Sequence, residues 1–175
     1  MVTRIATLVT ILLLAVGALA QDQQAIRTQF FAETDAVKAQ ADALHAAVLA
    51  PESYAKGMEL YTEAGDTLAR GRDLDDVRED LAESKQYFEQ AVERATLAQT
   101  TFSDALVARK AAQDADAEQF AARGWRRAEE DLGKAAEVLE GGNLNRASEM
   151  GMDVQKLYRE IEAEAINAKA KSEAR

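Results

Sequence analysis

Apolar side chains in this sequence recur at alternating spacings of three and four residues, and this period constrains the fold more than any other feature. One segment keeps the alternation over ten positions: Leu74, Val77, Leu81, Ser84, Phe88, Ala91, Ala95, Ala98, Phe102 and Ala105. Among them only Ser84 is polar. Because such spacing places side chains on one face of an α-helix, the segment predicts a single long helix with a coiled-coil-like seam.

Composition supports helices and excludes several classes of protein. The 175 residues include nine Gly, one Pro and no Cys, and Ala, Glu, Leu, Lys, Gln and Arg are abundant. The absence of Cys excludes disulfides, thiolate zinc sites and iron–sulfur clusters. The net charge of −10 argues against nucleic-acid binding, which depends on Lys and Arg. We therefore expect an all-α fold with no nucleic-acid partner.

The first twenty residues are typical of a secretory signal peptide. Arg4 is their single charge, and an uncharged stretch rich in Leu, Val and Ala follows it. Ala18 and Ala20 place small side chains at the −3 and −1 positions of a cleavage site before Gln21. An uncleaved anchor is the alternative, but the uncharged run is shorter than the roughly 20 apolar residues that span a bilayer. We expect cleavage, export to the periplasm or medium, and no stable membrane span afterwards.

The rest of the chain, residues 21–175, is predicted to form a single helical domain. Pro51 suits the first turn of a helix, and Gly71 suits the left-handed position after its end. Gly141-Gly142 ends another helix, which Asp116 opens as part of a motif resembling a capping box. The predicted bounds are 23–49 for a first helix, 51–112 for one helical hairpin and 116–172 for a second. The first helix is predicted to bury Ile26, Phe30, Val37, Ala41, Leu44 and Val48.

The two predicted hairpins share a sequence frame. Adding 71 to the residue number carries Tyr54, Gly57, Tyr61, Ala64, Leu68 and Gly71 onto Trp125, Ala128, Leu132, Ala135, Leu139 and Gly142. Adding 70 carries Leu74, Phe88 and Ala95 onto Leu144, Tyr158 and Ala165. Each hairpin has a stripe of apolar side chains that it would leave exposed to water on its own. Stacking the two hairpins buries both stripes. We predict an elongated antiparallel helical bundle of two helix-hairpin repeats plus an N-terminal helix.

Two short motifs carry a resemblance to a known family. Residues 49–57 (LAPESYAKG) open a helix, residues 68–74 (LARGRDL) form a turn, and residues 116–120 (DAEQF) form a weaker second opening. They resemble a family of exported bacterial helical-repeat proteins of unassigned function. Some members are joined to a peptidoglycan-binding domain of the outer-membrane-protein-A type, so the resemblance implies a role in the cell envelope. This sequence contains no such domain, and we do not carry peptidoglycan anchoring over to it.

The sequence contains no recognisable catalytic or metal-binding constellation. His45 is the sole imidazole, and helix-forming residues surround it. An acidic cluster comprises Asp73, Asp75, Asp76, Glu79 and Asp80. It lacks the Gly and the final Glu of a calcium-binding EF-hand loop, so a capped and solvated helix start explains it better. We expect no catalytic residue, no cofactor and no metal ion, and a protein that is not an enzyme.

Aromatic residues offer two candidate binding features. Arg123, Arg126 and Arg127 flank Trp125, and together they could present a guanidinium fork and a stacking face to an anion or a glycan. The other interpretation places Trp125 in the core and pairs Arg126 with Glu130 and Arg127 with Asp131 along the helix surface. A second set consists of Tyr54, Tyr61 and Tyr158. These tyrosines are interpreted either as the lining of a ligand groove or as core residues whose hydroxyls reach water.

These features favour a noncatalytic envelope protein, periplasmic or secreted, that acts as a structural module or binds another envelope protein or polymer. One alternative is a self-associating assembly, a homo-oligomer in which the seam between residues 74 and 105 pairs between subunits. The other alternative is a small-ligand binder with an aromatic-lined groove.

Overall fold

The computed structural model describes residues 26–71 and 73–174, and in this part every regular element is a helix. Helix α1 covers residues 26–43. It is followed by α2 (Ala46–Leu49), α3 (Pro51–Ala69), α4 (Leu74–Thr101), α5 (Ser103–Asp114), α6 (Ala117–Phe120), α7 (Ala122–Glu140) and α8 (Leu144–Glu173). The all-α prediction is confirmed. The signal peptide and its cleavage site at Ala18, Ala20 and Gln21 lie outside the described residues.

The long helices pack in two groups of three. In the first group α3 packs against α4, and α1 contacts both. The ring of Phe31 in α1 meets that of Tyr61 in α3 at a centroid distance of 5.2 Å, and the Thr34 hydroxyl donates to the Leu81 carbonyl at 3.1 Å. In the second group α5 and α7 pack against α8. Helix α4 leads into α5 across Phe102 alone, so these two helices connect the groups.

Short polar residues and glycines set several helix ends, and Asp73, Gly71 and Gly142 do so as predicted. The Asp73 carboxylate accepts a hydrogen bond from the Asp75 N–H at 2.9 Å, and the Asn143 side chain accepts one from the Arg146 N–H at 3.1 Å. Both cap the first turn of a long helix. Beyond the ends of α3 and α7, a backbone φ of 64° at Gly71 and 85° at Gly142 lies in the region that glycine adopts without a steric cost.

The seam of α4 and α5 is buried almost throughout. Nine of its ten side chains are buried, and only Leu74 is substantially exposed, at 38%. The one polar member, Ser84, donates its hydroxyl to the Gly57 carbonyl at 2.8 Å. Because helices of the same chain cover this seam, it is not free to pair between subunits as the self-association alternative requires.

The first predicted helix is too long, and its buried face is shifted. The helix stops at residue 43 because His45 adopts a left-handed backbone conformation, with φ 56°. Phe31 and Thr34 are buried, whereas the predicted core residue Ile26 is 37% exposed and Phe30 is half-buried. Thr34 is polar, so the apolar pattern of the sequence does not mark this face as buried. Thr34 can be buried because its hydroxyl donates to a carbonyl of another helix.

The long helix predicted through residue 112 is interrupted at Phe102, where the backbone departs from helical geometry. The predicted capping role of Asp116 is also wrong. Asp116 has a φ of 59° and makes no side-chain cap for α6. Its carboxylate instead accepts a hydrogen bond from the Lys169 ammonium at 2.6 Å. The Asp116 side chain thus contacts α8, whereas the sequence pattern predicted that it would cap the start of α6.

Packing does not follow the predicted hairpin bounds of 51–112 and 116–172. Helix α5 lies inside the first range but packs against α8, which lies in the second. The helix bounds nevertheless recur with one offset, since α2 and α3 begin and end 71 residues before α6 and α7. His45 and Asp116, the two left-handed residues other than glycine in the described part, are also 71 apart. Two hairpin repeats remain a prediction.

Candidate functional site

A polar network joins the three helices of the second group. The Arg109 guanidinium of α5 makes two hydrogen bonds to the Glu129 carboxylate of α7, at 2.7 and 2.8 Å. The Tyr158 hydroxyl of α8 donates to the same carboxylate at 2.5 Å. Burial raises the pKa of Tyr158, and the hydrogen bond to Glu129 raises it further. The hydrogen bonds to Glu129 also raise the pKa of Arg109, so the network holds both groups in their protonated forms.

The first group uses its tyrosines in a similar way. The Tyr54 hydroxyl donates to Asp42 at 2.5 Å, and the Tyr61 hydroxyl donates to Asp35 at 2.6 Å. Lys38 also binds Asp42, at 2.8 Å. Burial raises the pKa of Asp42, but the hydrogen bonds from Lys38 and Tyr54 outweigh it and leave this pKa lowered.

These contacts decide between the two interpretations of the tyrosines. The hydroxyls of all three bind carboxylates on neighbouring helices, and the rings of Tyr54 and Tyr61 pack edge-on against Phe88. They are packing residues, and their hydroxyls bind carboxylates, a set of partners that the sequence analysis did not predict. The three rings do not line a common groove, so the aromatic-lined groove of the small-ligand alternative is not found among them.

The predicted patch at Arg123, Trp125, Arg126 and Arg127 is divided by the fold. Trp125 is only 8% exposed and packs on Tyr158 at a centroid distance of 5.7 Å, while the Arg109 guanidinium lies 5.4 Å from its ring centre. Its faces are therefore not free to stack on a ligand. The three arginines are exposed on the outer side of α7.

Arg127 lies 3.7 Å from Asp131, as the helix spacing predicted. Arg126 does not reach Glu130, which binds Lys134 at 2.7 Å instead. Within the described ranges, Arg123 and Arg126 have no ion-pair partner. This side of α7 therefore keeps two unpaired cations beside one that is loosely paired.

A groove opens beside these arginines, between α7 and α8. Its volume is about 340 Å³. The groove is lined by Arg127, Asp131, Met150, Asp153, Val154, Lys156, Leu157 and Glu160. Met150, Val154 and Leu157 form an apolar floor, and charges of both signs form the rim. Such a surface can bury apolar side chains of a partner while its rim pairs with charges on either side.

Glu140 is a buried polar residue whose structural role the sequence analysis did not predict. It is the last residue of α7 and is 8% exposed. Its carboxylate accepts hydrogen bonds from the Glu52 N–H at 2.8 Å, the Ser53 N–H at 3.2 Å and the Ser53 hydroxyl at 2.7 Å. Arg94 donates to the Glu140 carbonyl oxygen. A carboxylate of the second group thereby caps the start of α3, a role that no local sequence signal at Glu140 reveals.

The remaining sequence candidates are separate from the groove, and all of them except the half-buried Asp80 are exposed. His45 lies at the turn before α2. Asp75 of the acidic cluster binds Arg78 at 2.5 Å, and Asp73 caps α4. Nearby carboxylates add to burial in raising the pKa of Asp80. Among the described residues, no group of three or more His, Asp or Glu is placed to hold a metal ion.

Fold and site define an all-α protein with two groups of three long helices, carboxylate networks that join helices, and an open groove with a charged rim. None of the described helices combines the length and apolar character that crossing a membrane requires. In comparisons with known proteins, no family model, curated protein or solved structure matches this chain. The resemblance to exported bacterial helical-repeat proteins therefore stays a prediction.

Proposed function

We propose that this protein is a noncatalytic module of the bacterial cell envelope, exported through its signal peptide, that binds another envelope protein in the groove between α7 and α8. The observation that carries the proposal is the groove itself, where an apolar floor is bordered by Arg127 and Lys156 on one hand and Asp131, Asp153 and Glu160 on the other.

The mixed rim favours a protein partner over a polymer. A polyanion would be repelled by the three rim carboxylates, and the groove lining contains no aromatic ring that could stack on a glycan. Trp125 cannot supply that ring because Tyr158 and Arg109 cover it. A peptide or helix with apolar residues and charges of both signs fits the floor and the rim together.

A noncatalytic role agrees with how the best-placed polar groups are used. Glu129 is occupied by Arg109 and Tyr158, and Glu140 is occupied by the start of α3. Acid–base catalysis needs a group that can reach a substrate proton. These half-buried and buried carboxylates instead hold helices together.

The binding half of the proposal is tested by affinity capture from a native envelope extract, using residues 21–175 as bait. We expect the double variant R127E/K156E to retain at least about tenfold less of a captured protein than the unmodified bait. The matched control is R70E/K110E, which makes the same charge change at exposed positions outside the groove.

Equal capture by both double variants would contradict the groove as the binding site. Capture of glycan alone would contradict a protein partner.

The export half is tested by cell fractionation with determination of the N-terminus. We expect the protein in the periplasmic fraction, starting at Gln21. Recovery in the cytoplasm with Met1 still present would contradict export.

A further inference from the structure

The last turns of α8 carry exposed apolar side chains beside α5. Ile166 is 53% exposed, and Val107 of α5 is 71% exposed. Ile166 lines a groove of about 600 Å³ together with the small side chains Ala111, Ala115 and Ala170. Val107 lies one helical turn before Ala111. An apolar residue of a partner could therefore enter between the two helices, because the apolar side chains beside Ile166 are small. The rest of the groove lining is charged and consists of Asp114, Glu162, Lys169 and Glu173.

The core of the protein does not require this apolar surface. At the corresponding offset of 70 or 71 residues, the first group carries Gln40 in place of Ala111, Thr96 in place of Ile166 and Thr100 in place of Ala170. The counterparts of Val107 and Ala115 are the apolar residues Ala36 and Leu44. Three of these five positions are thus polar in the first group, including the counterpart of the exposed Ile166. The difference points to a use on the outer surface.

Charges on the same face of α8 are self-complementary around Ile166. Arg159, Glu162, Ile166, Lys169 and Glu173 follow each other at spacings of three, four, three and four residues. Consider a second α8 that lies antiparallel to the first, with the two Ile166 residues at a twofold axis. Arg159 lies seven residues before Ile166, and Glu173 lies seven residues after it. Arg159 of one copy therefore faces Glu173 of the other. Glu162 comes beside Lys169 of that copy. A parallel arrangement would instead place like charges together.

The charged groups are accessible for such pairing. Lys169 already binds Asp116 at 2.6 Å, but its side chain is 42% exposed. An ammonium has three donors and can accept a second carboxylate. Arg159 and Glu173 are exposed, and no ion pair holds either of them in the described part of the chain.

We propose that a second copy of this chain docks on this surface, with the two α8 helices antiparallel about a twofold axis at Ile166. Ile166 of each copy enters the groove between α5 and α8 of the other, and the ion pairs Arg159–Glu173 and Glu162–Lys169 form twice. A twofold contact closes on itself and yields a dimer. The surface is independent of the α7–α8 groove, because Ile166 and Leu157 lie on opposite sides of α8.

Cysteine cross-linking tests the axis directly, since the natural chain contains no Cys. In residues 21–175 carrying I166C, both thiols meet at the axis, so we expect a disulfide-linked dimer under mild oxidation. The matched control is M152C. Met152 is similarly exposed at 55% and lies on the same face, but about 21 Å along the helix, outside the antiparallel overlap. Equal rates of oxidation for the two variants would overturn the proposal.

Sedimentation equilibrium tests the charges without a covalent link. We expect R159E to weaken the dimer by about tenfold or more and the double variant R159E/E173R to restore it, because the swapped pair is again complementary. Circular dichroism establishes that each variant is folded. A monomer at all concentrations up to about 100 µM, or a failure of the double variant to restore the dimer, would overturn the proposal.

Discussion

At the scale of single residues, Glu140 shows how one buried carboxylate can join two groups of helices. Its oxygens take three hydrogen bonds from Glu52 and Ser53, and these N–H groups lie at the positive end of the α3 dipole. The first N–H groups of a helix have no partner within the helix. Glu140 supplies that partner from the end of α7, so the start of α3 depends on a residue more than eighty positions away.

We predict that Glu140→Ala lowers the free energy of unfolding by about 2–3 kcal/mol, because the Ser53 hydroxyl and two N–H groups lose their acceptor in a buried site. Urea denaturation followed by circular dichroism measures the loss. Glu137→Ala is the matched control, since Glu137 is exposed on the same helix. A loss as small as in this control would refute the capping role.

The hydroxyl of Tyr158 makes the free energy of unfolding depend on pH in the alkaline range. Burial and Glu129 raise its pKa in the folded chain above the value of about 10 in the unfolded chain. The stability linked to this group is therefore fully present below about pH 10 and is lost as the pH rises further. We expect the fall in unfolding free energy between about pH 8 and pH 11 to be shallower in Tyr158→Phe than in the unmodified protein.

Tyr54 and Tyr61, whose pKa values are also raised, retain part of the alkaline dependence in that variant. Urea denaturation at several pH values provides the comparison. Identical pH dependence in the two proteins would show that Tyr158 does not contribute.

At the scale of helices, glycine allows α8 and α3 to approach a phenylalanine closely. A Cβ added at Gly151 would lie 2.7 Å from Cδ1 of Phe102, and one at Gly57 would lie 2.9 Å from Cδ1 of Phe88. Both rings are buried, at 1% and 0% exposure, so neither can move aside into solvent. The helices can lie this close together at these two points because glycine has no side chain.

We predict that Gly151→Ala lowers the free energy of unfolding by about 1–3 kcal/mol through overpacking against Phe102. Gly133→Ala is the control, because nothing lies within 4 Å of its added Cβ in the middle of α7. There we expect a gain of about 0.5–1 kcal/mol from the higher helix propensity of Ala. Thermal or urea unfolding of the two variants measures both effects, and a stabilised Gly151→Ala would contradict the close contact.

Helix ends could be predicted from the sequence where a residue type favours one local backbone conformation or one capping role. Pro51, Asp73 and Asn143 mark starts, and Gly71 and Gly142 follow ends, because their backbone or side-chain chemistry acts within one turn. The breaks at His45 and Phe102 were not predicted, whereas the break at Asp116 was, although its side chain does not perform the predicted capping role. His45 and Phe102 leave helical geometry because the packing of the neighbouring helices requires the chain to change direction there. No local residue preference in the sequence indicates this change.

At the scale of the whole molecule, the two groups of helices are linked by α4 leading into α5 and by the Glu140 cap. We therefore expect one cooperative unfolding transition. Trp125 is the single Trp and lies in the second group, whereas circular dichroism reports on both groups. Urea curves from fluorescence and circular dichroism should coincide in the unmodified protein. Separate curves in the unmodified protein would contradict this coupling.

The candidate sites were only partly predictable, for the same reason as the helix breaks. The arginines at positions 123, 126 and 127 could be recognised as an exposed set, and Trp125 could be placed in a core frame. The groove beside them could not be recognised, because it requires the register between α7 and α8. That register depends on side chains such as Tyr158 and Glu129, which are 29 residues apart.

The sequence by itself determined that the chain is helical, where most of its helices begin and end, and which residues form the seam. These properties depend on the period of apolar residues and on turn chemistry, which act over a few residues. Only the tertiary structure decided that α5 pairs with α8, that Glu140 caps α3, and which apolar residues stay on the surface. Each of these depends on contacts between distant segments, whose free energy is gained only when the helices have come together.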